Sequence, residues 1–368
     1  MLNFFSHQKA PSAIPGRKTS GIAAIFGIRP LRADCVEPLS VTLGVIGRGH
    51  AGKTALFNTI FRGTDTLPSG LQVDVEGPWN MAKQIKSSRE TVELLRHTGL
   101  PATLDRPKNE LHLFQGDTKC VTFSFREVIG QILTSTTDDS PSEQKDVYAE
   151  YVTDLGRSDV LWVVMPCPPR EASFHDLERY NDDLRLSVAY LRESLRLRQN
   201  PRTCSVAIAL TKLDSLFTSA EEAKSQLEKD HLCEVLRPLV NLIMASKGVG
   251  QAAIFPTSAF GFGNAVPRPV EQTGNGKVAE APHNGKAAVA LEQGETEWIL
   301  RPGASPQPYN LTALVVWSML RGMLYQDVEV DDDQGEHALA QICESLAKDL
   351  SSLDGWCVPL KGVRLSNE

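Results

Sequence analysis

Residues 41–61 read VTLGVIGRGHAGKTALFNTIF, an apolar run followed by a glycine-rich stretch and a helical pattern. Within it, residues 47–54 (GRGHAGKT) match the pattern G-x-x-x-x-G-K-[ST] in full. The pattern requires a strand before the loop and a helix after it, and the flanking residues supply both. The competing interpretation is a glycine turn followed by a chance Lys-Thr pair, and the matching flanks disfavour it. The sequence therefore predicts a loop that binds a phosphate.

Each part of this loop has a chemical role. The glycines allow the backbone N–H groups from about His50 to Thr54 to point inward at a β-phosphate. Lys53 brings a positive charge to the β- and γ-phosphates, and the Thr54 hydroxyl is a ligand for Mg²⁺. The N-terminus of the following helix adds the positive end of its dipole. We expect nucleotide contacts along the whole loop, from Gly47, Gly49, His50, Ala51, Gly52, Lys53, Thr54 and Ala55.

The overall composition excludes several classes of protein. A net charge of -7 argues against nucleic-acid binding, which usually requires a basic surface. The seven cysteines are odd in number and none forms a CxxC pair, so neither a disulfide framework nor a zinc site is expected. No apolar run approaches the roughly 18 residues of a membrane span. We therefore expect a cytoplasmic protein that does not cross a membrane.

Short apolar runs alternate with helical periods along most of the chain, which predicts right-handed βαβ crossovers. Two of the runs are joined only by QGDTK, so they are expected to form an antiparallel hairpin. The predicted fold is a three-layer α/β/α sandwich of the P-loop NTPase type, with a mostly parallel sheet and one antiparallel hairpin strand. The predicted strands are 41–46, 110–114, 120–125, 159–165, 204–210 and 252–255, of which 110–114 and 120–125 form the hairpin.

Changes in composition divide the chain into segments. The ends of the phosphate-binding domain are marked by a Pro-, Ser- and Gly-rich leader and by a stretch with almost no large apolar residues. A final buried helix follows that stretch, with Asn310 as its expected cap. The predicted segments are a flexible leader (1–39), the P-loop domain (40–262), a low-complexity loop (263–308), the final helix of the domain (309–326), and an acidic break with a C-terminal amphipathic segment (327–368).

Two further motifs indicate which base is bound. The apolar run 204–210 leads directly into TKLD (211–214), which resembles the [NT]KxD motif of GTPases of the Ras-like superfamily. A carboxylate at Asp214 would accept hydrogen bonds from guanine N1–H and N2–H₂, whereas adenine presents an acceptor at N1. The resemblance implies that Thr211 and Lys212 belong to the site, with the Lys212 stem along the base. Further on, Ser258-Ala259 resembles the motif whose backbone N–H meets guanine O6.

The residues that would act on the γ-phosphate depart from the family pattern. REVIGQ (126–131) resembles the motif DxxGQ, with Glu127 in place of the aspartate. The resemblance implies that Glu127 orients Mg²⁺ through water, that the Gly130 N–H meets the γ-phosphate, and that Gln131 positions the attacking water. Glutamate is one methylene longer than aspartate, so the metal contact must be rearranged. A rival assignment, DLGR, has the wrong spacing between Asp154 and Gly156.

The threonine that closes onto Mg²⁺ in the family must lie between the glycine-rich loop and the hairpin. Thr103, in LPATLDRP, is best placed for it, directly before the strand 110–114. Thr64, Thr66 and Thr118 remain alternatives. The stretch from 64 to 100 is longer than a minimal small GTPase needs, and its periodicity indicates an inserted helix.

The resemblance to the Ras-like, translation-factor-related superfamily covers about residues 40–262 and 309–326, and bacterial double-GTPase-type domains are the most similar subfamily. It implies a GTP-binding molecular switch that uses GTP/GDP and Mg²⁺, with Gln131 and Lys53 in catalysis. It also implies protein partners: a second GTPase, an activator or an effector. The alternative is a nucleotide-holding scaffold with little turnover, which Glu127 motivates. A P-loop ATPase is disfavoured by Lys212 and Asp214.

Overall fold

The computed structural model describes residues 39–48, 51–60, 67–76, 109–115, 118–127, 142–169, 174–198, 203–267, 298–301, 304, 307–324, 333–353 and 356–361. The strands are β1 (Leu39–Ile46), β2 (Gln72–Glu76), β3 (Asn109–Gln115), β4 (Thr118–Glu127), β5 (Val160–Pro166), β6 (Cys204–Thr211), β7 (Val249–Pro256), β8 (Ala265–Pro267), β9 (Trp298–Leu300) and β10 (Val358–Lys361). The helices are α1 (Lys53–Ile60), α2 (Ser142–Gly156), α3 (Phe174–Arg196), α4 (Ala220–Gln226), α5 (Lys229–Val235), α6 (Arg237–Ala245), α7 (Leu311–Leu324) and α8 (Asp333–Ser352).

Eight of these strands form one sheet in the order β10-β7-β6-β5-β1-β4-β3-β2. The pairs β1–β4, β1–β5, β5–β6 and β6–β7 are parallel, while β3 runs antiparallel to β4. The predicted α/β fold with a mostly parallel sheet and one hairpin is therefore confirmed. The two outer strands, β2 and β10, pair antiparallel with β3 and β7 and were not predicted from the sequence.

Helices cover both faces of the sheet, and the alternation of side chains along β5 shows why. Val160, Trp162 and Val164 face a core shared with α1, α7 and α8. Their neighbours in the strand, Leu161 and Val163, face a second core shared with α2, α3 and α4–α6. A strand buried on both faces is expected to be apolar at every position, as this one is. The three layers thus follow from continuous apolar runs in the central strands.

Several helical predictions need correction. The apolar periodicity of residues 220–247 predicts a single helix with a kink at Pro238, but these residues form the three short helices α4, α5 and α6, with Pro238 in the first turn of α6. Proline is favoured at the start of a helix because the N–H groups of the first turn have no intrahelical partner. A residue that lacks an N–H therefore loses no helical hydrogen bond at that position. Asn310 lies directly before α7 as predicted, but its side-chain amide bonds the backbone of Pro256 and Trp356.

The segment 263–308 was expected to lack structure, yet its two ends form a short antiparallel pair, β8 with β9.

The six cysteines that the structure describes are free thiols, and burial raises the pKa of Cys167 and Cys343 to about 12. Within the described ranges, no helix has both the length and the apolar character needed to cross a bilayer.

Candidate nucleotide-binding site

The glycine-rich loop begins where β1 ends at Ile46 and leads into α1 at Lys53. Two of its glycines are required by close approaches. A Cβ on Gly47 would lie 2.8 Å from the Val164 carbonyl oxygen. Gly52 has a φ of +87°, and a Cβ there would lie 3.1 Å from Thr211 Oγ1. The loop therefore passes directly over the ends of β5 and β6, in a conformation that larger residues would disrupt.

Lys53 is buried, and its ammonium lies beside the backbone of the loop. Its Nζ donates to the carbonyl oxygens of Gly47 and of Arg48, the latter at 2.8 Å. This arrangement keeps a positive charge at the N-terminus of α1, where the helix dipole also favours an anion. The loop and the lysine together have the chemistry of a phosphate site.

Thr211, at the end of β6, is bonded to the glycine-rich loop. Its Oγ1 lies 2.5 Å from the Ala51 carbonyl oxygen and 3.1 Å from the Met165 carbonyl oxygen. One hydroxyl thus joins the loop after β1 to the ends of β5 and β6. The structure places Thr211 against the loop itself, so its hydroxyl fixes the geometry of the glycine-rich loop.

Lys212 follows in the left-handed conformation, with φ 61° and ψ 27°, and it begins a 3₁₀ turn over Leu213–Ser215. This conformation costs a residue with a side chain about 1–2 kcal/mol, and such strain is found most often at functional sites. Burial and the nearby Arg179 guanidinium lower the pKa of the Lys212 ammonium, while Asp183 and Asp214 act in the opposite direction.

Asp214 is buried, and its carboxylate has defined hydrogen-bond partners. Its Oδ2 accepts from Ser258 Oγ at 2.6 Å and from the Phe260 N–H at 3.0 Å. Ser258 Oγ in turn accepts from the Gly261 N–H at 2.7 Å. Burial raises the pKa of Asp214, and the hydrogen bonds from Ser258 and Phe260 oppose that rise. The result is a carboxylate with a fixed orientation at the carboxyl end of β6.

The motif after β7 therefore contacts the motif after β6 directly. Ser258 is fully buried, and its backbone pairs with that of Tyr309. The Ser258 nitrogen lies 3.2 Å from the Tyr309 carbonyl oxygen, and the Tyr309 nitrogen lies 2.9 Å from the Ser258 carbonyl oxygen. Ala259 is half-buried and lies between Ser258 and Phe260 in the same loop. The hydroxyl of Ser258 orients Asp214, while Ala259 belongs to the part of the loop predicted to meet the base.

The ion pair between Arg48 and Asp183 was not predicted from the sequence. Arg48 Nη1 lies 2.8 Å from Asp183 Oδ1, so this pair connects the glycine-rich loop to α3 across 135 residues of chain. Nothing in the local sequence of either residue identifies its partner.

The other predicted site residues are described only in part. Gly49, His50, Thr103, Gly130 and Gln131 lie outside the described residues, as do the side chains of Thr54 and Glu127. The backbone of Glu127 is described: it ends β4 and pairs with Val45, two residues before the glycine-rich loop.

Of the predicted magnesium ligands, the structure describes only the backbone of Thr54 and Glu127. Thr54 lies in the first turn of α1, and Glu127 ends the strand beside β1. Among the described residues, no group of three or more His, Cys, Asp or Glu could hold a metal. A hydroxyl and one carboxylate fit Mg²⁺, which keeps several waters and is usually completed by substrate phosphates.

Comparison with known proteins adds little beyond this geometry. No model of a protein family matches the chain, and no curated protein matches it. The chain is similar to the FeoB G-domain of Methanococcus jannaschii, with 15% identity over 60% of this chain and 87% of that one, and a TM-score of 0.28.

It is also similar to Sup35 in complex with GDP, with 15% identity over 65% of this chain and a TM-score of 0.28. The chain spans only 42% of that protein. TM-scores of 0.28 are too low to transfer a property to this chain, so its function must be inferred from its own side-chain contacts.

Proposed function

We propose that the chain is a guanine-nucleotide-binding switch that hydrolyses GTP to GDP. The observation that carries the proposal is the buried Asp214 carboxylate, oriented by Ser258 and Phe260 at the same edge of the sheet as the Lys53 loop. Because β1, β6 and β7 lie in one parallel array, the loops that follow them come together at their carboxyl ends. One nucleotide can therefore meet the loop with its phosphates and Asp214 with its base.

The state of Asp214 favours guanine over adenine. A carboxylate accepts hydrogen bonds from guanine N1–H and N2–H₂, and such bonds to a charged acceptor are about twice as strong as neutral ones. Adenine has an acceptor at N1, which an ionised Asp214 repels. Ser258 and Phe260 fix the carboxylate before the base arrives, so little ordering is needed on binding.

The phosphate end of the site uses the loop and its lysine. The backbone N–H groups and Lys53 would bind the β- and γ-phosphates, and Thr54 and Glu127 would hold Mg²⁺, the latter through water. Mg²⁺ would supply charge neutralisation at these phosphates. Thr103, or one of Thr64 and Thr66, would complete the metal shell. The alternative Thr118 is not proposed, because it begins β4, at the end of that strand away from Glu127 and the glycine-rich loop.

In hydrolysis, Gln131 would orient a water whose oxygen forms a bond to the γ-phosphorus. The bond from that phosphorus to the bridging oxygen then breaks, GDP leaves with the electron pair, and a proton of the water passes to a phosphate oxygen. Lys53 would stabilise the charge that develops on the phosphates, and the Gly130 N–H would contact the γ-phosphate. A partner protein, whether an activator, an effector or a second GTPase of the bacterial double-GTPase type, would respond to the two nucleotide states in the cytoplasm.

A second candidate is a scaffold that holds the nucleotide with little turnover. Glu127 favours it, because a side chain one methylene longer than aspartate would shift the metal contact that hydrolysis requires. Both candidates share the guanine site and differ only in the chemical step.

Single-turnover reactions of the nucleotide-free protein with GTP and with ATP separate these functions. We expect GTP to be converted to GDP and ATP to be left intact. Gln131→Leu should slow the GTP reaction about 100-fold with little change in the GTP dissociation constant, since the amide acts on water. Tight GTP binding without turnover in the unaltered protein would favour the scaffold, and a preference for ATP would contradict both candidates.

A further inference from the structure

Asn310 bonds the backbone of two elements that are far from each other in sequence. Its Nδ2 donates to the Pro256 carbonyl oxygen at 2.8 Å and to the Trp356 carbonyl oxygen at 2.5 Å. Its Oδ1 accepts from the Trp356 N–H at 3.1 Å. Pro256 is the last residue of β7, and Trp356 precedes β10. We call these three hydrogen bonds the Asn310 bridge.

The backbone of Asn310 is adapted to this role. Its φ of 63° lies in the left-handed region, which asparagine tolerates better than most residues with a side chain. The residue is buried directly before α7, so its amide cannot exchange these partners for water without opening the structure. A side chain without an amide would leave the buried Pro256 carbonyl and the partly buried Trp356 backbone groups without this partner, which is unfavourable.

The bridge leads directly to the proposed guanine contact. Pro256 is two residues before Ser258, whose hydroxyl donates to Asp214. Tyr309, the neighbour of Asn310, pairs with Ser258 through both backbone groups. Residues 309 and 310 therefore hold the loop after β7 from one side, and that loop orients Asp214.

The C-terminal strand is held at its other end by an independent contact. Lys361 Nζ donates to the Ser246 carbonyl oxygen at 2.5 Å, just beyond the C-terminus of α6. Between Trp356 and Lys361, β10 pairs with β7 through Val358 and Ile254. The Trp356 end of β10 is thus joined through Asn310 to the loop after β7, whereas the Lys361 end contacts the C-terminus of α6.

We propose that Asn310 is a positioning residue for base selectivity, which joins the C-terminal strand to the orientation of the Asp214 carboxylate. The inference rests on the proposed function, since it names a residue that tunes the same guanine site. Loss of the bridge lets the loop after β7, which contains Ser258, move away from Asp214. The Asp214 carboxylate then loses the orientation in which it accepts from two N–H groups of one base. Guanine nucleotides lose more affinity than inosine nucleotides, because inosine lacks the 2-amino group and makes only one of these contacts.

The test compares GDP and IDP dissociation constants by calorimetry in the full chain. Asn310→Gly removes the amide but keeps the left-handed backbone, because glycine adopts a positive φ without strain. We expect the GDP dissociation constant to rise about three- to tenfold and the ratio of the IDP constant to the GDP constant to fall. In a Ser258→Ala background, adding Asn310→Gly should leave that ratio unchanged, since the two residues act through one carboxylate.

Lys361→Met is the matched control, since it loosens the same strand at the end away from the nucleotide. It should lower the melting temperature and leave the ratio of the two constants unchanged. An Asn310→Gly protein with an unaltered ratio of the IDP constant to the GDP constant would overturn this inference alone, whether both affinities were unchanged or both fell equally. An unaltered chain that binds neither nucleotide would overturn the proposed function and this inference together.

Discussion

At the scale of single residues, the proposed guanine contact depends on the ionisation of Asp214. Only the carboxylate accepts from both N1–H and N2–H₂, and burial raises the pKa of this group above its usual value. Protonation removes the acceptor that both contacts need. The charged form that the proposed guanine contact needs is therefore lost at a higher pH than in an exposed aspartate.

We therefore predict that GDP affinity is constant above the pKa of Asp214 and falls by up to tenfold per pH unit below it. Asp214→Asn should remove this dependence, weaken GDP binding and admit XDP, whose C2 carbonyl accepts from the new amide. Calorimetric titrations with GDP and XDP across the acid range measure both effects. Asp349→Asn is the control, because that buried carboxylate on α8 bonds Ser69 and should leave the nucleotide preference unchanged. An Asp214→Asn protein that still selects GDP over XDP would show that the base is read elsewhere.

The sequence predicts part of this arrangement at the residue level. The order of TKLD and Ser258-Ala259 along neighbouring strands was enough to expect both at one edge, and the structure brings Asp214 to Ser258. The Phe260 N–H could not be predicted, because every residue except proline carries the same backbone donor. The partners of Arg48 and Asn310 could not be predicted either, since both contacts depend on how distant segments fold together.

At the scale of elements, one hydroxyl connects the glycine-rich loop to the sheet. Thr211 Oγ1 reaches the carbonyl oxygens of Ala51 and Met165 from the end of β6. A loop whose N–H groups must converge on a phosphate binds more tightly when its backbone is fixed beforehand.

Thr211→Val keeps the shape of the side chain and removes the hydroxyl. We predict that it lowers the free energy of unfolding by about 1–3 kcal/mol, because two buried carbonyl groups lose a donor. The GDP dissociation constant should rise about tenfold, which calorimetry and denaturant unfolding can measure on the same sample. Ser194→Ala, which removes a buried hydroxyl that donates to the Tyr190 carbonyl oxygen in the same helix, should lower stability without changing GDP affinity. Equal GDP affinity in the Thr211→Val and unaltered proteins would show that this hydroxyl serves stability alone.

Elements differ in how far the sequence determines them. The six strands predicted from apolar runs were all found. In β5 and β6, burial on both faces leaves a continuous apolar pattern that the sequence shows directly. The outer strands β2 and β10 are short and mixed in composition, and their pairing depends on the neighbour beside them. The periodicity of residues 220–247 indicated helix, but periodicity alone does not show where one short helix ends and the next begins.

At the scale of the whole molecule, α7, α8 and β10 complete the sheet and one of the two helical layers that cover it. α7 and α8 pack on the face of the sheet that α1 covers, and β10 extends the edge beside β7. Residues far apart in sequence thus converge on one edge, where the loops after β1, β6 and β7 meet. The division of the chain into domains remains a prediction from composition.

The most direct test of the central claim is the selectivity of nucleotide binding in the full chain. Calorimetric titration of the nucleotide-free protein with GDP and with ADP, each with Mg²⁺, measures it. We predict that GDP binds at least about 100-fold more tightly than ADP, a difference of about 3 kcal/mol, which the contacts of one oriented carboxylate can supply. Lys53→Ala should weaken GDP binding by about 100-fold or more, because the loop then holds the phosphate charges with backbone dipoles alone. Equal affinity for ADP, or GDP binding that survives Lys53→Ala within a few-fold, would contradict the account.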